Sequence, residues 1–395
     1  MKNKIISGLL VVFFSFCSLV FGYYGDFDYW FREGYDYYFY EDGSPKPNTD
    51  PDVAIDYFTK AIENWKYYDG KENLAGAYNN RGIAYSDKGD YDRAISDYNE
   101  AIRIGFGNDK TKLAVAYNNR GCIYERKGDY DKAIEEYKKS IELNPEYEYP
   151  VGNIGYVYFM QGKLDDALQQ LNKALSMKKE SPYFNYAYWL KILIYKEKND
   201  VQNLKETVTS AEKYLKEQIN KNPKDASNYS DLAEIYCEAN TSIDEAFNLA
   251  QKAVELKPDY QSYYVLGFCY FRKGDTKKAI EYLEKSRQLN PSNTWCLYRL
   301  GYFYKLSGDT EKAKQIWSEG LKINPNHRFI KQQYEKAGGK IEQPQQKQQN
   351  QQKQSQQPQQ NQPPQQPKQK EPQQPQQPEK IDIKEILNKD IQDGL

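Results

Sequence analysis

Tyr78, Gly82 and Tyr85 stand four and then three positions apart, which places them on one face of a helix with polar residues around the rest. Seven positions after Gly82 a second glycine, Gly89, is followed by Asp90, and the apolar stripe resumes as Ala94, Tyr98 and Ala101. The spacing predicts two amphipathic helices. Gly89 ends the first, because glycine enters the left-handed backbone region without a side-chain clash. Asp90 caps the start of the second.

The pattern returns around Gly121, Gly155, Gly267 and Gly301. Gly128, Gly162, Gly274 and Gly308 are the second glycines, and Ala133, Ala167, Ala279 and Ala313 take the place of Ala94. A bulky residue sixteen after the first glycine, such as Tyr98 or Tyr137, completes the stripe. Ala233 heads another copy, with one residue inserted before Ala246. The steps Gly121 to Gly155, Ala233 to Gly267 and Gly267 to Gly301 are all 34 residues. Second helices stop at Asn144-Pro145, Asn290-Pro291 and Asn324-Pro325, since proline cannot continue a helix. A fixed period of this length predicts stacked helix pairs. One pair cannot bury its apolar face alone; a row of them buries a continuous core and leaves a long concave surface.

The motif Y-x2-[RL]-G-x2-Y, then G-D, A-x3-[YLW] and P, resembles the tetratricopeptide repeat. The resemblance implies an all-α fold, a right-handed superhelical solenoid of stacked helix-turn-helix repeats. Three copies cover residues 75–181 and three more cover 226–327. Residues 182–225 read as a degenerate copy without the central glycine. Residues 26–74 read as an atypical first copy or N-terminal cap, with Trp30, Gly34 and Tyr37 on its first helix and Ala54, Phe58 and Ala61 on its second. Its connecting loop is longer than the motif allows. Residues 328–339 are expected to form a polar-faced capping helix.

In the family, the face of each first helix opposite the packed stripe points into the concave groove. The resemblance thereby assigns Asn79, Asn80, Asn118, Asn119, Asn153 and Tyr156 to the groove in the N-terminal copies. In the C-terminal copies it assigns Asp231, Glu234, Tyr264, Phe268, Arg272, Trp295, Tyr298, Arg299 and Tyr302. Asn80, Asn119 and Asn153 hold one slot in three consecutive repeats. An amide both donates and accepts, so a row of them grips an extended peptide backbone without reading its side chains. The row is similar to the asparagine ladder of O-linked N-acetylglucosamine transferase, although no glycosyltransferase domain accompanies it. Tyr, Phe and Trp beside Arg are the types enriched at binding hot spots. The plainer alternatives are consensus surface asparagines and rings packed on neighbouring helices. Relatives that clamp a chaperone's terminal carboxylate use Lys and Arg in slots held here by Asn79, Val115 and Tyr149, so that specificity is not expected.

Beyond Gly339 the composition changes to Gln and Pro, and residues 340–380 read as a disordered linker with polyproline character. Residues 381–395 regain a helical pattern: Ile383, Ile386, Leu387 and Ile391 share one face. So short a helix is not stable alone. It reads as a docking peptide for a partner's groove, for this chain's own, or for that of a second copy.

Charge narrows the partners. The chain carries 55 Lys+Arg against 56 Asp+Glu, which argues against nucleic acid. A single histidine, His327, and no Cys-x-x-Cys pair leave no inventory for a His-based catalytic device or a metal site, so neither a cofactor nor a metal is expected. Residues 1–22 have a positive start, an apolar run from Ile5 and a small residue at Gly22, the layout of a secretory signal peptide. An uncleaved membrane anchor and lipidation at Cys17 are the alternatives. Export, to the periplasm, envelope or medium, is therefore expected. Cys122, Cys237, Cys269 and Cys296 are not spaced as a disulfide framework and read as small buried side chains.

These readings converge on a non-enzymatic scaffold that binds peptide segments of protein partners in its groove, outside the cytoplasm. A self-assembling envelope element using the tail helix is the second reading. An envelope hydrolase is the third, and it requires two carboxylates converging in a cleft, which no spacing shows.

Overall fold

The computed structural model describes residues 27–39, 49–66, 69–177, 181 and 183–341. The signal-like residues 1–22, the linker beyond Ile341 and the tail helix with Ile383, Ile386, Leu387 and Ile391 lie outside the described residues.

Seventeen helices, among the described residues, form eight antiparallel pairs and a cap. The first pair is α1 (Phe27–Tyr38) with α2 (Pro51–Asn64). Three regular pairs follow: α3 (Lys71–Lys88) with α4 (Tyr91–Ile104), α5 (Lys110–Arg126) with α6 (Tyr130–Leu143), and α7 (Glu148–Met160) with α8 (Leu164–Met177). The degenerate copy is α9 (Tyr183–Glu197) with α10 (Val201–Lys221). Then come α11 (Ala226–Ala239) with α12 (Ile243–Leu256), α13 (Tyr260–Arg272) with α14 (Thr276–Leu289), and α15 (Thr294–Leu306) with α16 (Thr310–Ile323). The cap is α17 (Arg328–Lys336). Each pair packs on the next, as a solenoid requires.

The central glycine is a socket. A Cβ on Gly82 would lie 2.8 Å from Tyr98 Cε1, and one on Gly121 would lie 2.7 Å from Tyr137 Cε1. Leu171, Leu283 and Trp317 fill the same place against Gly155, Gly267 and Gly301. The sixteen-residue spacing is thus one side chain of the second helix seated on the backbone of the first. In the α11–α12 copy Ala233 replaces the glycine and Ala250 replaces the large side chain, both fully buried. In α9 the slot holds Ile192, and α9–α10 is the most loosely packed of the eight pairs. The first pair keeps the device: Gly34 faces Phe58.

Turns follow the expected chemistry. Gly89 takes φ 82°, and its N–H bonds the Ser86 carbonyl at 3.0 Å. Asn199 and Asn240 adopt φ 54° and 52° where the glycine is missing. Asp275 and Asp309 accept from the backbone N–H three residues on at 3.0 and 2.9 Å, caps worth about 1 kcal/mol each.

The expected open groove is not what forms. The last repeat curls back onto the third and fourth. Asn326 Nδ2 donates to the Gly128 carbonyl at 2.9 Å, and Tyr130 Oη donates to the Asn326 carbonyl at 3.3 Å. Arg328 Nη1 donates to the Phe159 carbonyl at 2.9 Å and also pairs with Glu197. The capping helix therefore does more than close the end of the stack. It bridges the turn, and the concave face becomes the wall of a channel.

Candidate functional site

Inside the turn lie two adjoining cavities whose walls share Tyr260 and Asn293. The larger, about 880 Å³, runs from Tyr38 and Asp87 past Arg126 and Tyr156 to Asn324. The smaller, about 360 Å³, is lined by α9, α11, α13 and α15, with Trp189, Tyr264 and Trp295 as walls and Asp231 and Glu234 among its polar groups.

The asparagines meet, but chiefly one another. Asn119 Nδ2 donates to Asn79 Oδ1 at 3.3 Å, and Asn79 Nδ2 donates to Asn80 Oδ1 at 3.3 Å. Asn153 Nδ2 donates to Asn118 Oδ1 at 3.1 Å, and Asn80 and Asn118 are buried. The ladder runs diagonally, each repeat's amide reaching the neighbouring slot of the repeat before it. Its stacked arrangement follows from the 34- to 39-residue steps of the repeat. Much of its bonding capacity ties repeats together.

The C-terminal aromatics divide. Tyr264 and Trp295 line the smaller cavity and Tyr156 the larger. Phe268, Tyr298 and Arg299, expected at the groove surface, are buried at 1, 2 and 5 % exposure. Arg272 and Tyr302 sit with them around a residual space of only about 10 Å³. For Tyr298 the cause is the closed turn. Phe329 of α17 packs on Phe159, Trp295 and Tyr298, with ring centroids 5.4 to 5.7 Å apart. Arg299 lies 3.7 Å over the Phe268 ring, donates to Tyr264 Oη at 2.6 Å and pairs with Glu238. Arg272 Nε donates to the Cys237 carbonyl at 2.8 Å. These residues hold the channel's floor.

Electrostatics set the character of the channel. Burial raises the Asp231 carboxyl to about 7, against the lowering effect of a hydrogen bond from Asn185. Burial raises Glu234 to about 8, only partly offset by Arg299. Burial would also raise Glu238, but Arg299, then Lys196 and Arg272, hold it below the ordinary value. In the larger cavity burial lifts Glu125 to about 7, although Tyr137 Oη donates to it at 2.7 Å. The interior is acidic in a chain whose net charge is −1.

Asp231 and Glu234 are two carboxyls facing one cleft, the arrangement a hydrolase would need. Hydrolytic pairs divide the labour, with one acid protonated and the other ionised. Here burial raises both, to about 7 and about 8. Among the described residues no cluster of three His, Cys, Asp or Glu is arranged to hold a metal ion.

The spacing of the motifs did not reveal Asn185, Tyr186 and Trp189, which line the smaller cavity from the degenerate copy. Their signal lay in Asn199-Asp200: taken as the turn, it sets Ile192 in the glycine slot and turns Trp189 inward.

The fold is a helical-repeat solenoid with a concave channel, the architecture of proteins that hold other proteins. Sequence profiles for the tetratricopeptide repeat match residues 48–105, 73–146, 126–188 and 296–327, and the chain belongs to that family. A profile for anaphase-promoting complex, cyclosome, subunit 3 matches residues 239–305. No curated protein matches the sequence. Among solved structures, yeast Tom70 is 19% identical with a TM-score of 0.45, over 73% of this chain and 59% of that one. A tetratricopeptide repeat protein from Parabacteroides merdae is 19% identical with a TM-score of 0.41, over 68% of this chain and 100% of that one. The anaphase-promoting-complex assembly Cut9–Hcn1 is 15% identical with a TM-score of 0.41, over 73% of this chain and 52% of that one.

Proposed function

We propose that this protein is a non-enzymatic scaffold that holds a segment of a partner protein in the channel inside its superhelical turn, outside the cytoplasm. The observation that carries the reading is that the two cavities adjoin, with Tyr260 and Asn293 in the walls of both. Their combined size exceeds that of a pocket for a single small ligand, about 300–1,000 Å³. Exposed Tyr260 stands at the junction. Export is supported by the signal-like residues 1–22, and N-terminal sequencing of the mature protein tests it.

The test of the scaffold is cross-linking and pull-down of the full-length protein from its native envelope. Tyr260→Ala trims the exposed junction, and Asp87→Trp fills the larger cavity while removing the acceptor of the 2.6 Å hydrogen bond from Tyr38 Oη, so circular dichroism and a urea midpoint check that each variant is folded. A partner lost from both variants supports the channel. Partners recovered unchanged from both place binding on another surface and end this reading.

A further inference from the structure

We infer that the cavity between α9, α11, α13 and α15 is a pocket for a cationic side chain, a lysine or arginine carried by the partner segment that threads the channel. The inference rests on the reading of the channel as a peptide site and names the chemistry that site selects.

The chain itself shows what such a pocket is built from. Twice in the same interior a guanidinium sits between a carboxylate and aromatic rings. Arg299 pairs with Glu238 and lies over Phe268. Arg328 pairs with Glu197 and lies 4.9 Å from Phe159 and 4.5 Å from Phe329. The 360 Å³ cavity repeats the surroundings of these pairs without the cation. Asp231 and Glu234, one helical turn apart on α11, face it, and no Lys or Arg is among its lining residues; Arg299 beyond it attracts Glu234, which also accepts from Tyr264. Trp189 and Trp295 meet edge to face at 5.1 Å, and Tyr186 stacks on Trp189 at 5.5 Å. Ring faces beside carboxylates are the surroundings that hold ammonium and guanidinium groups.

Two further details fit a cation. Asn185 Nδ2 and Gln261 Nε2 donate to the two oxygens of Asp231 at 2.5 and 3.0 Å, fixing its orientation and leaving each oxygen a free lone pair. Asn185 Oδ1, on the same wall, is buried without a donor. An ammonium brings three donors and a guanidinium five.

The groups that face the acids are Asp225 and Glu238 at the two ends of α11, Tyr186 on α9, Tyr260 and Tyr264 on α13, and Arg299 on α15. Arg299 is committed to Glu238. An entering cation therefore meets carboxyls that are partly protonated at neutral pH, and binding it releases protons. Affinity rises with pH while the ligand's own amine stays charged.

Short random peptides selected by phage display on the full-length protein test this. The expected selection is enriched in Lys or Arg at one position. Replacing that residue by norleucine or citrulline should cost at least about tenfold in affinity for the wild type and little for an Asp231→Asn, Glu234→Gln double variant. Wild-type affinity should rise at least about tenfold from pH 6 to pH 8, as the lower of two acids near 7 and 8 ionises. The double variant is isosteric, and its unchanged affinity for the norleucine peptide reports that it is folded. Peptides that respond to Tyr260→Ala but show no Lys or Arg preference, or keep it in the double variant, overturn the pocket and leave the channel standing. Failure to select any peptide, or indifference to Tyr260→Ala and Asp87→Trp, overturns both. A preference that appears only after Lys384→Gln and Lys389→Gln means the chain's own tail fills the pocket, and overturns its assignment to a partner.

Discussion

Arg328 Nη1 bonds the backbone carbonyl of Phe159 at 2.9 Å across 169 positions of sequence, and the same guanidinium pairs with Glu197. One side chain thus joins the cap, the fourth repeat and the degenerate fifth. Arg328→Ala should lower stability by about 1–2 kcal/mol, less than for a sealed charged hydrogen bond because solvent reaches the pair. It should also widen the turn. Small-angle scattering would show a larger radius of gyration, and hydrogen exchange would quicken in α17. Arg328→Lys should not restore both contacts, since one ammonium cannot span the fork. Unchanged scattering and exchange in Arg328→Ala would remove the closure from the list of what holds the channel.

The socket predicts non-additivity. Gly82→Ala presses a methyl into the Tyr98 ring and should cost about 1–3 kcal/mol in urea denaturation. Tyr98→Ala should cost about 3 kcal/mol or more as a cavity. Together they should cost less than their sum, because the methyl then occupies vacated space, as Ala233 with Ala250 already does. Strict additivity contradicts the socket.

Stability should peak in mildly acidic solution. Burial lowers His327 to about 3, so the folded state holds it neutral while the unfolded state protonates it below about 6.5. Its contribution is complete above that value and is lost as pH falls. Asp231 and Glu234 act oppositely. Raised to about 7 and 8, they bind more protons folded than unfolded, so stability declines as pH rises from the ordinary carboxylate range near 4 to about 8. His327→Asn keeps a capping side chain and should flatten the acid limb. The Asp231→Asn, Glu234→Gln pair should flatten the alkaline limb. A wild-type urea midpoint that still rises from pH 6 to pH 9 would refute the alkaline half.

In the asparagine stair, Asn153→Ala removes the donor to Asn118 Oδ1 and should cost about 0.5–1.5 kcal/mol. Asn153→Asp should cost more, because a carboxylate sets acceptor against acceptor. Equal losses would mean the bond contributes nothing to the junction between the repeats.

Cys237 and Cys269 are buried with their sulfurs 3.0 Å apart. Diamide, which takes up two hydrogens, should link them within one chain, seen as a loss of that mass after tryptic digestion. Cys237→Ser should abolish the link. A peptide map free of it after prolonged oxidation would show that burial protects the pair.

The helix pairs were legible because each depends on near neighbours in sequence. Gly82 and Tyr98 are sixteen residues apart, and Gly89 with Asp90 turns the chain between them. The closure was not legible. Whether Asn326 reaches Gly128 depends on rotation summed over the five repeats between them, including the loosely packed pair at Ile192. No local pattern encodes that sum. Tyr298 therefore read as groove surface, when Phe329 of α17 covers it; Phe268 and Arg299 did too, when they stack on each other. Asp231 and Glu234, expected in the groove, line the smaller cavity, but its aromatic walls were not legible, because Tyr186 and Trp189 belong to the copy whose register the missing glycine concealed.

Phe329 also dictates an order of events. Its ring covers Phe159, Trp295 and Tyr298, and it stands 170 residues after the first of them. Repeats assembled from the N-terminus complete their local sockets as each helix pair emerges. The inner aromatic surface stays bare until nearly the last helix arrives, and contacts of such long separation form slowly. The half-finished chain is therefore stickier than either the unfolded or the finished one. Loss of α17 would be felt first as aggregation during synthesis, before any loss of grip on a partner.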